Sequence, residues 1–286
     1  MAADFQAELV ACFGQPVREN PTGAMQEAAF REAGLSWRYL TVEVPPARLR
    51  EAVEGARAFG MRGFNLTIPH KVAVMEHLDE IAPDAALIGA VNTVRREGER
   101  LIGENTDGKG FLHGVRVDAG VDPRGKRVVV LGAGGAARAI VTELALAGAA
   151  DVLVVNRSAE RGERMVRDLA AKTGRPIRFA AWRGVYDVAG DVDLLVNATS
   201  IGLFPDADEM PAVELAHARA GMLVCDVVFN PPETRLLAAA RGRGLAVLDG
   251  LSMLVYQGAA GFKLWTGLEA PVDVMKRALR EAMGLG

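Results

Sequence analysis

The sequence predicts an α/β chain of two domains, on three observations. Over the first hundred residues, short strand-like runs alternate with helical ones, the order that builds a mostly parallel sheet. From Val128, a strand-like run, a glycine loop, a helical pattern and another strand-like run follow directly, which is the opening unit of a doubly wound sheet. The length, 286 residues, suits two domains at roughly 150 residues each.

The elements read in order. Glu8 to Phe13 is a compact apolar strand stopped by Gly14. Asn20-Pro21 starts a helix, with Asn accepting from the first free N–H groups and Pro at the first helical position; Gly34 closes it after Ala33. Trp37 to Val44 is a strand broken by Pro45-Pro46, Leu49 to Phe59 an amphipathic helix, and Gly63 to Leu66 a strand. A helix from Lys71 to His77 and strands over Ala90–Arg95 and Leu101–Glu104 complete this section. Residues 118–127 are polar and turn-rich, an exposed connection. Val128–Leu131 is the most strand-like run of the chain, followed by a helix from Arg138 to Ala147, a strand over Val152–Val155 and a helix from Ala159 to Lys172. Leu194–Asn197, Leu223–Val228 and Ala246–Leu248 are further buried strands, and helices over Ser252–Gly267 and Val272–Met283 end the pattern.

Composition narrows the function classes. Apolar residues make up 50% and charged residues 24%, the balance of an ordinary globule. Thirty-three basic against thirty-six acidic side chains leave −3, so no field for nucleic acid or an anionic membrane surface is expected. Cys12 and Cys225 are the two cysteines, too few for a disulfide scaffold or a four-thiolate zinc site, which fits a reducing, cytoplasmic setting. The four histidines show no metal-ligand spacing, so no metal is expected. The opening residues to Glu8 lack a basic region and an apolar run, and no apolar stretch reaches the ~18 residues of a membrane span.

The glycine loop carries the first chemical signal. Gly132, Ala133, Gly134, Gly135 and Ala136 follow a strand and open a helix. Glycines there let the backbone turn tightly and approach a pyrophosphate, which meets the free N–H groups of the helix. The next strand ends in Asn156-Arg157-Ser158, with Arg161 one turn on, where an NAD site usually carries a carboxylate. Two guanidiniums offer charge-assisted contacts to a 2′-phosphate, so NADP is the expected cofactor. The bland alternative makes both arginines solvated helix-start residues.

Seven ordered segments then resemble the shikimate dehydrogenase family. They are Asn65-Leu-Thr67-Ile-Pro69-His70-Lys71, Gly89-Ala-Val-Asn92-Thr93, Asn105-Thr106-Asp107-Gly108, the glycine loop with Asn156-Arg157-Ser158, Asn197-Ala-Thr199-Ser200-x-Gly202, Asp226-x-x-x-Asn230-Pro231, and Asp249-Gly250-Leu-x-Met253-Leu-Val-Tyr-Gln257. The resemblance implies a substrate-binding and catalytic domain over 1–110, a Rossmann-type NADP domain over 111–250, and C-terminal helices over 251–286 returning to the first domain. It implies reversible hydride transfer between NADP and the secondary alcohol of a cyclohexene carboxylate, in aromatic amino acid biosynthesis, at a cleft between the domains. Lys71 and Asp107 are implied as the proton-transfer pair, although without the resemblance the sequence favours a surface salt bridge. Asn65, Asn92 and Gln257, with Thr67 beside them, resemble hydroxyl-binding amides. Thr199, Ser200, Val227, Gly250 and Met253 are implied along the ribose and nicotinamide; Val227 and Met253 read equally as core. His70 is left to packing or capping.

Two departures bear on the substrate. The family's Ser-x-Ser-Pro clamp for the carboxylate falls on Asn20, Thr22 and Gly23, with Pro21 two positions earlier. Asn20 is thus either a ligand contact or a helix cap. A substrate-facing tyrosine of the family is Phe229 here, which removes a hydroxyl. The partner expected is a small molecule, the chain being a monomer or homodimer. The alternatives on the same residues are a quinate, aminoshikimate or other cyclic polyol dehydrogenase, or a catalytically silent NADP-binding regulator.

Overall fold

The computed structural model describes residues 6–286, so Met1–Phe5, within the stretch read above for a secretory signal, lies outside the described residues. The chain separates into two compact units, one formed by the described residues through Thr106 together with Val255–Gly286, the other by Asp107–Leu254.

The first unit holds β1 (Glu8–Gly14), α1 (Thr22–Glu32), β2 (Trp37–Glu43), α2 (Leu49–Ala58), β3 (Gly63–Leu66), β4 (Glu80–Ile81), α3 (Pro83–Ile88), β5 (Thr93–Glu97) and β6 (Arg100–Glu104). They form a six-stranded sheet ordered β2-β1-β3-β5-β6-β4. β1–β2, β1–β3 and β4–β6 pair parallel, while β3–β5 and β5–β6 pair antiparallel. One core cluster gathers Phe13, Phe64 and Val94 with Val53 of α2 and Ala85 of α3.

Three readings of this region are corrected. The helix expected over Lys71–His77 is a 3₁₀ turn over Ala73–His77. The Lys71 carbonyl accepts from Val91 N–H at 2.7 Å, so it is committed to a neighbouring segment instead of a helical ladder. The helix expected from Pro21 starts at Thr22, with Pro21 outside it at φ −82° and ψ 3°. The strand expected from Ala90 starts at Thr93, because Val91 and Asn92 donate to Lys71 and Glu104 before pairing with β3 begins.

The second unit opens with α4 (Asp107–Val117), followed by β7 (Arg127–Leu131), α5 (Gly135–Leu146), β8 (Asp151–Asn156), α6 (Ala159–Thr173) and β9 (Ile177–Ala181). Then come β10 (Tyr186–Asp187), β11 (Leu194–Asn197), β12 (Val213–Glu214), β13 (Leu223–Asp226), α7 (Arg235–Gly242) and β14 (Ala246–Leu248). A six-stranded, all-parallel sheet runs β9-β8-β7-β11-β13-β14, the doubly wound order, with β10 and β12 pairing separately. Apolar clusters cover both of its faces, one including Val128, Val130 and Ile140, the other Val129, Leu131 and Leu237. Helix α5 begins at Gly135, three positions before the expected start, and β13 ends at Asp226 rather than Val228. Helix α4 is an addition to the sequence reading. It packs on α5, and its glycines permit that: a Cβ on Gly108 would stand 2.4 Å from the Ala139 carbonyl oxygen.

α8 (Gly250–Thr266) begins in the second unit and belongs to the first from Val255, and α9 (Val272–Ala282) buries Met275 and Leu279 and packs along α1. Phe262 stacks on Phe30 at 5.6 Å, and Trp265 Nε1 donates to the Val94 carbonyl at 2.9 Å. Gly63 makes room for that indole; a Cβ there would lie 2.1 Å from Val94 O and 2.3 Å from Trp265 Nε1. Gly63→Ala is therefore expected to cost about 3 kcal/mol of stability through overpacking. Urea unfolding checks this, and a loss under ~1 kcal/mol would mean that the sheet relaxes around the methyl.

Candidate active site

In the second unit the strand order reverses between β7 and β11, and connections leave the two strands on opposite faces, opening a crevice at their carboxyl ends. The glycine loop sits there. Gly132 has φ +108°, and a Cβ on it would come within 3.0 Å of the Ala198 carbonyl oxygen. Gly134 precedes α5 in extended backbone and faces open space, and no side chain caps that helix. Its first N–H groups are thus available to an anion.

At the end of β8, Asn156 Nδ2 donates to the Ser158 carbonyl at 2.9 Å, and Ser158 Oγ accepts from Arg161 N–H at 3.3 Å as the cap of α6. Arg157 and Arg161 are exposed, and neither is in an ion pair among the described residues. Arg157 and Ser200 line a cavity of about 480 Å³ with Trp182, Ile201 and Met210. Thr199 and Ser200 follow β11, Val227 follows β13, and Gly250 and Met253 follow β14. Val227 and Met253 pack partly buried against the apolar cluster, and a Cβ on Gly250 would meet Val228 O at 2.3 Å. All the expected cofactor residues thus lie beyond carboxyl ends of one parallel sheet. An uncapped helix, a glycine turn that excludes a Cβ and an exposed guanidinium together fit a phosphorylated dinucleotide.

Sequence reading missed what holds this edge. Asn197, fully buried at the end of β11, accepts from Thr199 Oγ1 at 2.7 Å and from Thr199 N–H at 3.2 Å. Its Nδ2 donates to Asp226 Oδ1 at 3.0 Å, and Asp226 also accepts from Val228 N–H and Thr234 Oγ1. Burial pushes the Asp226 carboxyl up to about 6, against the pull of these three donors. Both residues stand in the quoted segments, but nothing local distinguishes a supporting amide from one that touches a ligand.

In the first unit the turn after β3 is tied down on every side. Thr67 N–H donates to Phe13 O, His70 N–H to Thr67 O, and Gln15 N–H to Ile68 O. His70, 1% exposed, puts Nε2 2.7 Å from the Val44 carbonyl, a packing role. Lys71 is half-buried here, and Thr67 is half-buried beside β1. Asn65, Asn92 and Gln257 are brought together in a buried network. Asn92 Nδ2 donates to Thr106 Oγ1 at 2.9 Å and to Gln257 Oε1 at 3.4 Å, while its Oδ1 accepts from Thr106 N–H at 2.7 Å. Gln26 Nε2 donates to Gly258 O at 2.8 Å and steadies the helix turn that carries Gln257. Tyr39, Thr93 and Thr106 complete the network and were not foreseen.

Asn20 is used as a cap: its Oδ1 accepts from Thr22 N–H at 3.0 Å, and its Nδ2 faces the Cys12 sulfur at 3.9 Å. Thr22 is buried in the first turn of α1. Asp107 is the buried first residue of α4, a carboxylate at a helix N-terminus. It belongs to the second unit and Lys71 to the first.

A doubly wound sheet whose edge fits a phosphorylated dinucleotide, joined in one chain to a unit with a buried cluster of amides, defines a dinucleotide-binding protein of the dehydrogenase class. Family profiles described as shikimate dehydrogenase substrate binding domain, shikimate/quinate 5-dehydrogenase and shikimate 5′-dehydrogenase C-terminal domain match residues 12–94, 118–229 and 250–280. A shikimate dehydrogenase (NADP(+)) of Methanopyrus kandleri is 47% identical over 98% of each chain. The ligand-free 5-ketofructose reductase of Gluconobacter sp. strain CHM43 superimposes with a TM-score of 0.91 at 46% identity, covering 97% of this chain and 99% of that one. The Thermus thermophilus shikimate 5-dehydrogenase in complex with NADP(H) and shikimate gives 0.84 at 36% identity, covering 96% and 99%. The chain belongs to the shikimate dehydrogenase family.

The Asp226 carboxyl leads to a pH prediction. Its folded value, about 6, lies above the ordinary 3.8 of the unfolded chain. The proton it retains in the fold favours folding below pH ~4, and that contribution is lost as pH rises through ~6. Asp226→Asn keeps a neutral group at all pH. The stability of the variant relative to wild type is expected to rise by about 2 kcal/mol from pH 4 to pH 7. Urea unfolding at both pH values measures this, and a pH-independent difference contradicts it.

Proposed function

We propose that this chain is an NADP-dependent oxidoreductase that interconverts shikimate and its 3-keto form. The observation that carries the reading is the phosphate-binding edge at the strand-order reversal, in a chain of this family that also buries three clustered hydroxyl-binding amides. Residues 1–110 serve as the substrate-binding and catalytic domain, 111–250 as the NADP domain, and 251–286 as helices supporting the first. When bound, NADP supplies the hydride acceptor or donor. The chain's own groups handle the rest. Lys71 takes the hydroxyl proton during oxidation and returns it in reduction, and Asp107 orients that exchange. Asn92, Gln257, Asn65 and Thr67 bind the vicinal hydroxyls, Asn65 as an acceptor. Thr22 serves the carboxylate end, where Asn20 caps α1. Gly132, Gly134 and Gly135 admit the pyrophosphate, and Arg157 and Arg161 read the 2′-phosphate. The setting is cytoplasmic, a reading that the two buried free cysteines support. The protein acts as a monomer or homodimer.

Purified protein assayed with NADP is expected to oxidise shikimate with a higher kcat/KM than quinate, and to reduce 5-ketofructose poorly with NADPH. NADPH binding without turnover of any of them would overturn the assignment. Lys71→Ala is expected to lower kcat by about 10³-fold or more with NADP affinity retained; near-normal turnover removes Lys71 from the mechanism. Replacing Arg157 and Arg161 together by Ala should shift the NADP/NAD ratio of kcat/KM toward NAD by about 10². An unchanged ratio would assign the 2′-phosphate to other groups.

A further inference from the structure

We infer that Tyr39 is a positioning residue for the substrate, its hydroxyl fixing Asn65 so that this amide accepts a hydrogen bond from a substrate hydroxyl and donates none. The inference rests on the reading of Asn65 as a substrate-binding amide.

A side-chain amide has two donor hydrogens and two acceptor lone pairs. Asn65 spends both hydrogens inside the unit, on Thr93 Oγ1 at 2.9 Å and on the Asn92 carbonyl at 3.2 Å. Its Oδ1 accepts from the Tyr39 hydroxyl at 2.7 Å. The position left is the second lone pair of Oδ1. The orientation is unambiguous, because a flipped amide would set its oxygen against the Asn92 carbonyl, which has no hydrogen to give.

Tyr39 is built to hold that hydroxyl in place. It lies on β2 opposite Val10 of β1, whereas Asn65 of β3 lies opposite Cys12, so the phenol reaches diagonally over β1. Its ring packs against Trp265 at 6.3 Å, and that indole is itself tied to Val94. On the α1 side, a Cβ on Gly23 would lie 3.4 Å from the ring, in ordinary contact. Burial and the neighbouring Cys12 thiol hold the phenol well above its ordinary range, so it remains a donor. Thr93 extends the constraint: it accepts from Asn65 and reaches Asn92 Oδ1 at 3.2 Å. The chemical result is selectivity. A ligand hydroxyl can donate to Asn65, whereas a keto or ether oxygen at the same place would face another acceptor.

The test is steady-state kinetics with shikimate and NADP on the full chain. Tyr39→Phe is expected to raise the shikimate KM by about 10-fold while the NADP KM and kcat change by less than about twofold. In an Asn65→Ala background the same substitution should leave the shikimate KM where Asn65→Ala put it, because Tyr39 acts only through that amide. Additive effects, or an unchanged KM for Tyr39→Phe alone, overturn the inference. Should Tyr39→Phe not fold, Thr93→Val and Thr93→Ser decide: Val should raise the KM and Ser, which keeps the hydroxyl, should not. An equal rise in both overturns it. An active wild-type enzyme with additive cycles sinks only this inference; a wild type inactive on shikimate sinks the proposed function, and this with it.

Discussion

A buried amide has four hydrogen-bonding positions and no water to fill them, and both units are organised around that constraint. Asn65 lies within β3, Asn92 just before β5, and Asn197 at the end of β11, each with its side chain bonded to a neighbouring segment. Each unfilled position would cost on the order of 1–3 kcal/mol. Each filled one ties two segments together: β3 to β5, the turn at Asn92 to Thr106, and β11 to β13. The segments around these amides are thus held in place by hydrogen bonds within the chain itself. That is the preorganisation a site needs if binding energy is to go into orientation rather than into ordering loops.

The sequence was most legible where structure is set locally. The valine-rich β7, the glycine loop and β8 follow from neighbouring residues alone, and the edge they build is where the expected cofactor residues lie. Elements decided by distant contacts were opaque. Asp107-Gly-Lys-Gly-Phe-Leu-His-Gly carries no element in the sequence reading, since glycine disfavours helix, yet α4 forms there and its glycines allow close packing on Ala139 and Ser252. The turn after Lys71 failed as a helix for the converse reason, a carbonyl claimed by Val91 from another segment. Tyr39 reads only as part of a strand, since nothing within β2 reveals that its hydroxyl ends beside Asn65.

The departures from the family pattern separate by kind. Asn20 keeps a polar group where the family has a serine, but spends its carbonyl on the Thr22 N–H, so the exchange trades a hydroxyl for a helix cap. Gly23, in place of the proline, leaves the start of α1 to that cap and leaves ordinary contact distance to the Tyr39 ring. Phe229 follows β13 with no hydroxyl to offer. On the proposed reading, the catalytic pair is kept and the changes fall at the carboxylate and ring end of the substrate.

The first unit is discontinuous in sequence, since α9 and all but the first turn of α8 belong to it while Asp107–Leu254 does not. During synthesis its sheet therefore leaves the ribosome well before the helices that cover it. Until Phe262 and Trp265 emerge, Phe30 and the sheet face at β3 and β5 lack their partners, and nascent chains must keep that apolar surface from associating. The second unit, contiguous in sequence, has its whole sheet translated before those helices are complete, so the last part of the chain to be translated completes the part that was translated first.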